Sequence, residues 1–215
     1  RVVGEACVQV GDTPAARGAY QRALARLDAL LAQGQTPDTE DHAYLLAVYS
    51  RLLIQDGEPD RALEFLEQAK QLLSTDPRFQ REHSIVLGDI ARIKVSKGEV
   101  DEALKLHQDR LMVFEALGDA NGKAHTLWSI AQIEMQKEDY PNAFPHLQES
   151  YAILLKLGRL DGIIYVGLDL GQLLCAGGAK EEGMAILSRS RDGFRKLGQE
   201  ALARQVQALL DSLSS

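Results

Sequence analysis

Few side chains among these 215 residues could run a reaction or hold a cofactor, and their spacing argues against both. His42, His83, His107, His125 and His146 are dispersed, and none falls in an HExxH or other metal-ligating spacing. There is no GxxxxGK(S/T) phosphate loop and no GxSxG nucleophile elbow. Gly177-Gly178 has the composition of a glycine-rich loop, but it falls in a repeated interhelical turn. The paired acids Asp101-Glu102 and Glu181-Glu182 fall in the first turn of predicted helices, where they meet the positive end of the helix dipole. The chain is therefore read as non-enzymatic, with no cofactor and no metal. What is left is recognition. Tyr, Trp and Arg are the side chains that most often anchor an interface, and this chain has a single Trp, Trp128.

Composition narrows the class of partner. With 45% hydrophobic and 26% charged residues the chain is an ordinary globular mix. A formal charge of −7 gives no support for nucleic-acid binding, in which a basic face supplies most of the affinity. No apolar run approaches the roughly 20 residues that span a bilayer, so no membrane association is expected. The N-terminal Arg1-Val2-Val3-Gly4-Glu5-Ala6 is too short in apolar residues for a signal peptide, and it lacks an initiator Met. Together with an incomplete first repeat, that points to a piece of a longer protein. Cys7 and Cys175 make neither a disulfide framework nor a CxxC motif, which suits a reducing, cytoplasmic compartment.

The elements that must position any binding residue are written as a repeat. Gly57, Gly98, Glu138 and Gly178 occupy equivalent turns, separated by 98−57 = 41, 138−98 = 40 and 178−138 = 40 residues. A weaker copy of the turn begins at Gly11. A period of this size marks stacked helical hairpins. Five positions after each turn residue stands Ala16, Ala62, Ala103, Ala143 or Gly183, where a small side chain lets the second helix touch the first. Eight positions before the later turns stand Tyr49, Ile90, Ile130 and Leu170. Leu117, Leu157 and Leu197 precede glycines at the ends of second helices. All three columns are expected in the core. The reading is a single array, 1–215, with hairpins over about 2–32, 39–74, 78–117, 120–157 and 160–197 and a terminal helix over 199–213. Asp119 is the expected N-cap of its helix, and Pro59 and Pro141 sit where a first turn tolerates them. Pro145 predicts a late helix start or a kink.

The pattern resembles the tetratricopeptide repeat (TPR). Leu87-x-x-Ile90-Ala91 with Gly98 and Ala103, and Leu127-x-x-Ile130-Ala131 with Ala143, carry the likeness. The period of 40, rather than about 34, is similar to a long-repeat subclass found in partner-binding arrays and in bacterial signalling proteins. The usual aromatic late in the first helix is replaced by Leu53, Lys94, Glu134 and Leu174. The resemblance implies an all-α, right-handed superhelical solenoid of about five antiparallel hairpins plus a C-terminal helix. It also implies that first helices line a concave groove whose inward positions meet the ligand. Carried over by register, the polar and aromatic positions are Tyr44, Arg51 and Gln55, then Asp89 and Arg92. They continue with His125, Trp128, Gln132 and Gln136, and end with Tyr165, Asp169 and Gln172. Their amides can bond a peptide backbone, and Arg51 and Arg92 can hold a carboxylate. Trp128 and Tyr165 are either exposed in that groove or half-buried between adjacent first helices.

The expected function is a scaffold that binds a protein or peptide segment in the groove. The alternative is the sensor or regulatory TPR region of a larger bacterial-type signalling protein, controlling an attached effector or nucleotide-switch domain. A structural spacer, or self-association through exposed array ends, is the third class.

Overall fold

A computed structural model describes residues 13–214, with side chains from residue 17. The helix expected at residues 2–10, with Cys7, lies outside the described residues, as does the turn at Gly11. Among the described residues there are ten α-helices, one 3-10 turn (Pro77–Phe79) and no strand. The helices are α1 (Thr13–Ala32), α2 (Thr39–Gln55), α3 (Pro59–Ser74), α4 (Gln80–Ser96) and α5 (Val100–Leu117). They continue as α6 (Ala120–Gln136), α7 (Tyr140–Leu157), α8 (Leu160–Ala176), α9 (Lys180–Lys196) and α10 (Glu200–Ser214). The protein is all-α, and its helices follow one another as hairpins.

The backbone explains where each helix stops. Gly34, Gly57, Gly98, Gly118, Gly158, Gly178 and Gly198 all have φ between 65° and 94°. That left-handed conformation is costly for a residue with a Cβ and cheap for glycine. The residue after each turn donates its N–H to a carbonyl five positions back, as in Glu58 to Leu53 (2.8 Å), Glu99 to Lys94 (2.9 Å) and Asp119 to Phe114 (2.9 Å). Glu138 holds the same conformation with φ 58°, alone among non-glycine residues described. A Glu138→Gly variant should therefore gain a few tenths to about 1 kcal/mol, the relief of αL strain less the added freedom of the unfolded chain. A thermal melt showing a loss of stability would contradict this.

Helix starts follow elementary capping. Asp38 accepts from the Asp41 N–H (3.0 Å), and Asp119 accepts from the Gly122 N–H (2.8 Å). Pro59 and Pro141 sit in first turns. Pro145 does not delay its helix: α7 begins at Tyr140 and runs through it. The missing N–H would have bonded the carbonyl of Pro141, in the first turn beside solvent, so little is forfeited there.

Two compact units divide the chain, residues up to Val113 and residues from Phe114, with the division inside α5. In the first, α1 packs on α2, α2 on α3 and α3 on α4. Its core gathers Leu46, Tyr49, Leu53, Leu66, Ile90 and Ile93. In the second, α6 packs on α7, α7 on α8, α8 on α9 and α9 on α10. Its cores gather Leu147, Leu154, Val166 and Leu170, and then Ile164, Leu187, Phe194 and Val206. Ala62, Ala103 and Ala143 are completely buried, and Tyr49, Ile90, Ile130 and Leu170 are buried too. Overpacking the small column should be costly. Ala103→Leu and Ala143→Leu are each expected to lose about 1–3 kcal/mol in a denaturant melt. No loss in either variant would mean the column is not at a helix–helix contact.

The third column needs correction. Leu117, Leu157 and Leu197 are exposed by 46%, 43% and 45%. Each is the last residue before a left-handed glycine, where the helix ends and no turn follows to cover the side chain. The buried column lies three residues earlier, at Phe114, Leu154 and Phe194.

Candidate functional site

In the first unit, α2 and α4 bring together four of the five expected residues. Arg51 donates from Nε to Asp89 Oδ2 at 2.8 Å, and Arg92 donates from Nη2 to Asp89 Oδ1 at 2.8 Å. Asp89 is buried, Arg51 half-buried and Arg92 exposed. Tyr44 is half-buried and lines a pocket of about 250 Å³ together with Ala47, Val48, Arg51 and Ile85. Gln55 is exposed in the last turn of α2.

Behind Asp89 lies a group that sequence reasoning missed. Arg110 of α5 is buried, donates from Nε to the Ser84 carbonyl (2.7 Å), and sits 2.7 Å through Nη1 from His107 Nδ1. Burial lowers the Arg110 guanidinium to about 10, opposed by the nearby Asp89, so it stays charged at neutral pH. Burial, and then the Arg110 charge, pushes the buried His107 down to about 3. Its ring is therefore neutral, and Nδ1 accepts from Arg110. Gly88 makes room for this: a Cβ there would lie 2.6 Å from Arg110 Cζ. A glycine inside a predicted helix, a costly choice, was the available signal.

In the second unit, α6 and α8 assemble an aromatic and amide cluster around one carboxylate. Trp128 donates from Nε1 to Asp169 Oδ2 at 2.7 Å, and Gln132 reaches the same oxygen at 3.4 Å. Burial pushes the Asp169 carboxyl up, while the Trp128 and Gln132 hydrogen bonds pull it down. The Trp128 ring lies 6.1 Å from Tyr165 at 30° and 6.4 Å from His125 at 51°. Tyr165 in turn meets Phe194 edge-on at 5.1 Å and donates its hydroxyl to Gln199 Oε1 (2.9 Å). Trp128, Tyr165 and His125 are all half-buried. Gln136 is exposed at the end of α6. Gln172 is exposed on α8 and lines an apolar pocket of about 700 Å³ with Met135, Tyr140, Phe144 and Leu173. Apart from Gln172, that pocket is built by residues of α6, α7 and α8 and of the turn at Gly177 that the groove register does not include.

The two clusters share a register. Asp89 and Asp169 each precede their turn residue by nine (98−89 and 178−169), and Arg51 and Gln132 precede theirs by six (57−51 and 138−132). In both units a first-helix carboxylate is gripped by the preceding first helix. Among the described residues, no group of three or more His, Cys, Asp or Glu side chains is placed to hold a metal ion.

No protein-family model matches the sequence, and no curated protein matches it. Solved structures do match in shape. The aspartyl phosphate phosphatase F from Bacillus subtilis superposes with a TM-score of 0.78 at 14% identity, over 99% of this chain and 53% of that one. The Rap conjugation gene regulator of plasmid pLS20, solved in complex with a Phr peptide, gives 0.79 at 14% identity, over 97% and 55%. Kinesin light chain TPR-like repeats from Podosopora anserina give 0.61 at 16% identity, over 83% and 97%. The chain thus spans about half the length of the two Rap-type structures. At these identities the likeness is one of fold, and the fold is that of the TPR-like helical repeat proteins.

Proposed function

We propose that the chain is a non-enzymatic scaffold that binds a protein or peptide segment through its first helices. The observation that carries this reading is the half-buried Trp128–Tyr165–His125 cluster around Asp169, with Gln132 and Gln172 exposed on the same two helices. Rigid aromatics flanked by exposed amides suit an extended segment, the rings burying a side chain and the amides bonding its backbone. The Phr peptide in the similar Rap regulator belongs to that protein, and it supports a peptide as the class of ligand here. The charge of −7 does not favour nucleic acid. Among the described residues no helix is long and apolar enough to cross a membrane. Cysteine usage favours the cytoplasm. Self-association is a further property to measure by sedimentation.

Panning a random-peptide display library on the intact chain tests the proposal. For the selected peptides, Trp128→Ala should weaken binding about 30-fold, equivalent to about 2 kcal/mol. Gln132→Ala, an exposed change, should weaken it without moving the melt. Gln148→Ala on the exposed side of α7 should do neither. Peptides that bind Trp128→Ala and Gln132→Ala as tightly as the parent would sink the groove reading.

A further inference from the structure

We propose that the cleft of about 700 Å³ at the Gly177 turn is a binding site for a neutral, largely apolar small molecule carrying one hydrogen-bonding group. The site goes beyond the proposed scaffold function and does not rest on it.

The cleft lies wholly in the second unit, between the end of α6, the start of α7 and the end of α8. Met135, Phe144, Leu173 and Leu174 give it hydrocarbon and aromatic walls, and the Tyr140 hydroxyl and Gln172 amide are its polar side-chain groups. No residue that lines it is charged. An ion entering it would lose water without gaining a counter-charge, whereas a neutral molecule meets an amide and a phenol. At about 700 Å³ it is too large for a single side chain and falls inside the roughly 300–1,000 Å³ of small-molecule sites.

The other hairpins carry charge where this cleft has none. Four residues before their turn residues stand Lys94, Glu134 and Leu174. Lys94 Nζ reaches Glu99 and Glu102 at 2.7 Å each, and His146 Nδ1 lies 2.8 Å from Glu134 Oε2, whereas Leu174 is buried beside the cleft. Immediately before the turn residues stand Lys97, Lys137 and Gly177, and three residues after the preceding ones stand Asp60, Asp101 and Pro141. Lys97 donates to Asp60 and ties the start of α3 to the end of α4. At the cleft both members of that bridge are absent together, so no orphaned charge remains. The residue after the turn changes in the same sense, from Glu99 and Asp139 to Ala179. Tyr140 and Phe144 add rings where the preceding hairpin has Val100 and Leu104. One junction has thus lost its charges as a set and gained aromatic wall.

The test uses the intact chain and N-phenyl-1-naphthylamine, a neutral probe whose fluorescence rises in apolar surroundings. Saturable one-to-one binding is expected. 8-Anilinonaphthalene-1-sulfonate, the same ring system bearing a sulfonate, should bind at least tenfold more weakly. Pro141→Asp and Gly177→Lys together restore the bridge residues, and should weaken the neutral probe at least tenfold in a protein that melts normally. Gly177 has φ −79°, beside −89° at Lys97 and −85° at Lys137, so lysine suits the backbone there. Phe144→Ala should also weaken the probe, and exposed Gln148→Ala on α7 should not. If the double variant does not fold, Gly177→Lys alone and the sulfonate comparison decide the matter. Absence of saturable binding, equal affinity for the sulfonate, or unchanged binding by the Gly177→Lys variants would overturn the proposal. Sedimentation of the parent as a dimer that the double variant dissociates would do so too, since the cleft would then be an interface between copies. Displacement of the probe by the display-selected peptides would also overturn it, by making the cleft part of a peptide site.

Discussion

Gly183→Val is expected to destabilise the second unit by about 3 kcal/mol, at or above the top of the usual range for overpacking. A Cβ at Gly183 would lie 2.5 Å from Cys175 Sγ, 2.7 Å from the Gly171 carbonyl oxygen and 2.9 Å from the Cys175 nitrogen. Two of those atoms are backbone, so no rotamer change relieves the clash, and α8 must move from α9. Position 183 belongs to the same column as Ala103 and Ala143, and there even alanine is too large. Gly171, whose own Cβ would sit 3.0 Å from the Gly183 carbonyl, makes the approach mutual. Urea melts followed by circular dichroism check this. A Gly183→Val protein that melts with the parent would show that the α8–α9 contact is looser than described.

Acidification from pH 7 to pH 4 is expected to cost about 3 kcal/mol through His107 alone. The ring titrates near 6.5 when unfolded and at about 3 when folded, because burial and then Arg110 oppose its charge. Between those values the unfolded chain holds more protons, so the contribution, complete above 6.5, is lost as pH falls toward 3. Asp169 works in the opposite sense. Its folded carboxyl is raised by burial, so falling pH favours the folded state in its window. Comparing the parent with His107→Gln cancels Asp169 and every other shared group. The variant keeps an acceptor for Arg110, and its urea stability should fall less between pH 7 and pH 4, by about 3 kcal/mol. Equal pH dependence in the two proteins would contradict a neutral, buried His107.

Much of the fold was legible because it is periodic. Turn residues 57, 98, 138 and 178, the alanine column and the column from Tyr49 to Leu170 repeat at fixed offsets, and each reports a local packing need. Leu117, Leu157 and Leu197 repeat equally well yet are exposed, since a period marks equivalence between hairpins and not burial. The site was legible only in outline. Register brought Trp128, Gln132 and Asp169 to neighbouring helices. That Asp89 meets Arg92 is an i,i+3 spacing on one helix, whereas its grip on Arg51 depends on how closely α2 and α4 approach. Arg110 and His107 lie on a second helix, outside any groove register. Their partner Gly88 was visible, but not what filled the space that it leaves.

The uniform closure of the turns also bears on how such a chain can change over generations. At Glu138 and at Gly178, forty residues later, the backbone holds the same left-handed conformation. Each following N–H bonds the carbonyl five residues back, Asp139 to Glu134 and Ala179 to Leu174. Recombination between these joints deletes or duplicates one complete hairpin and leaves the joint's dihedral angles as they were. The small column arrives in the same place, with Ala143 or Gly183 five residues on. Length is thereby separated from local foldability. Gene duplication can lengthen or shorten the helix array in whole steps, and point mutation can afterwards tune the side chains that each step displays.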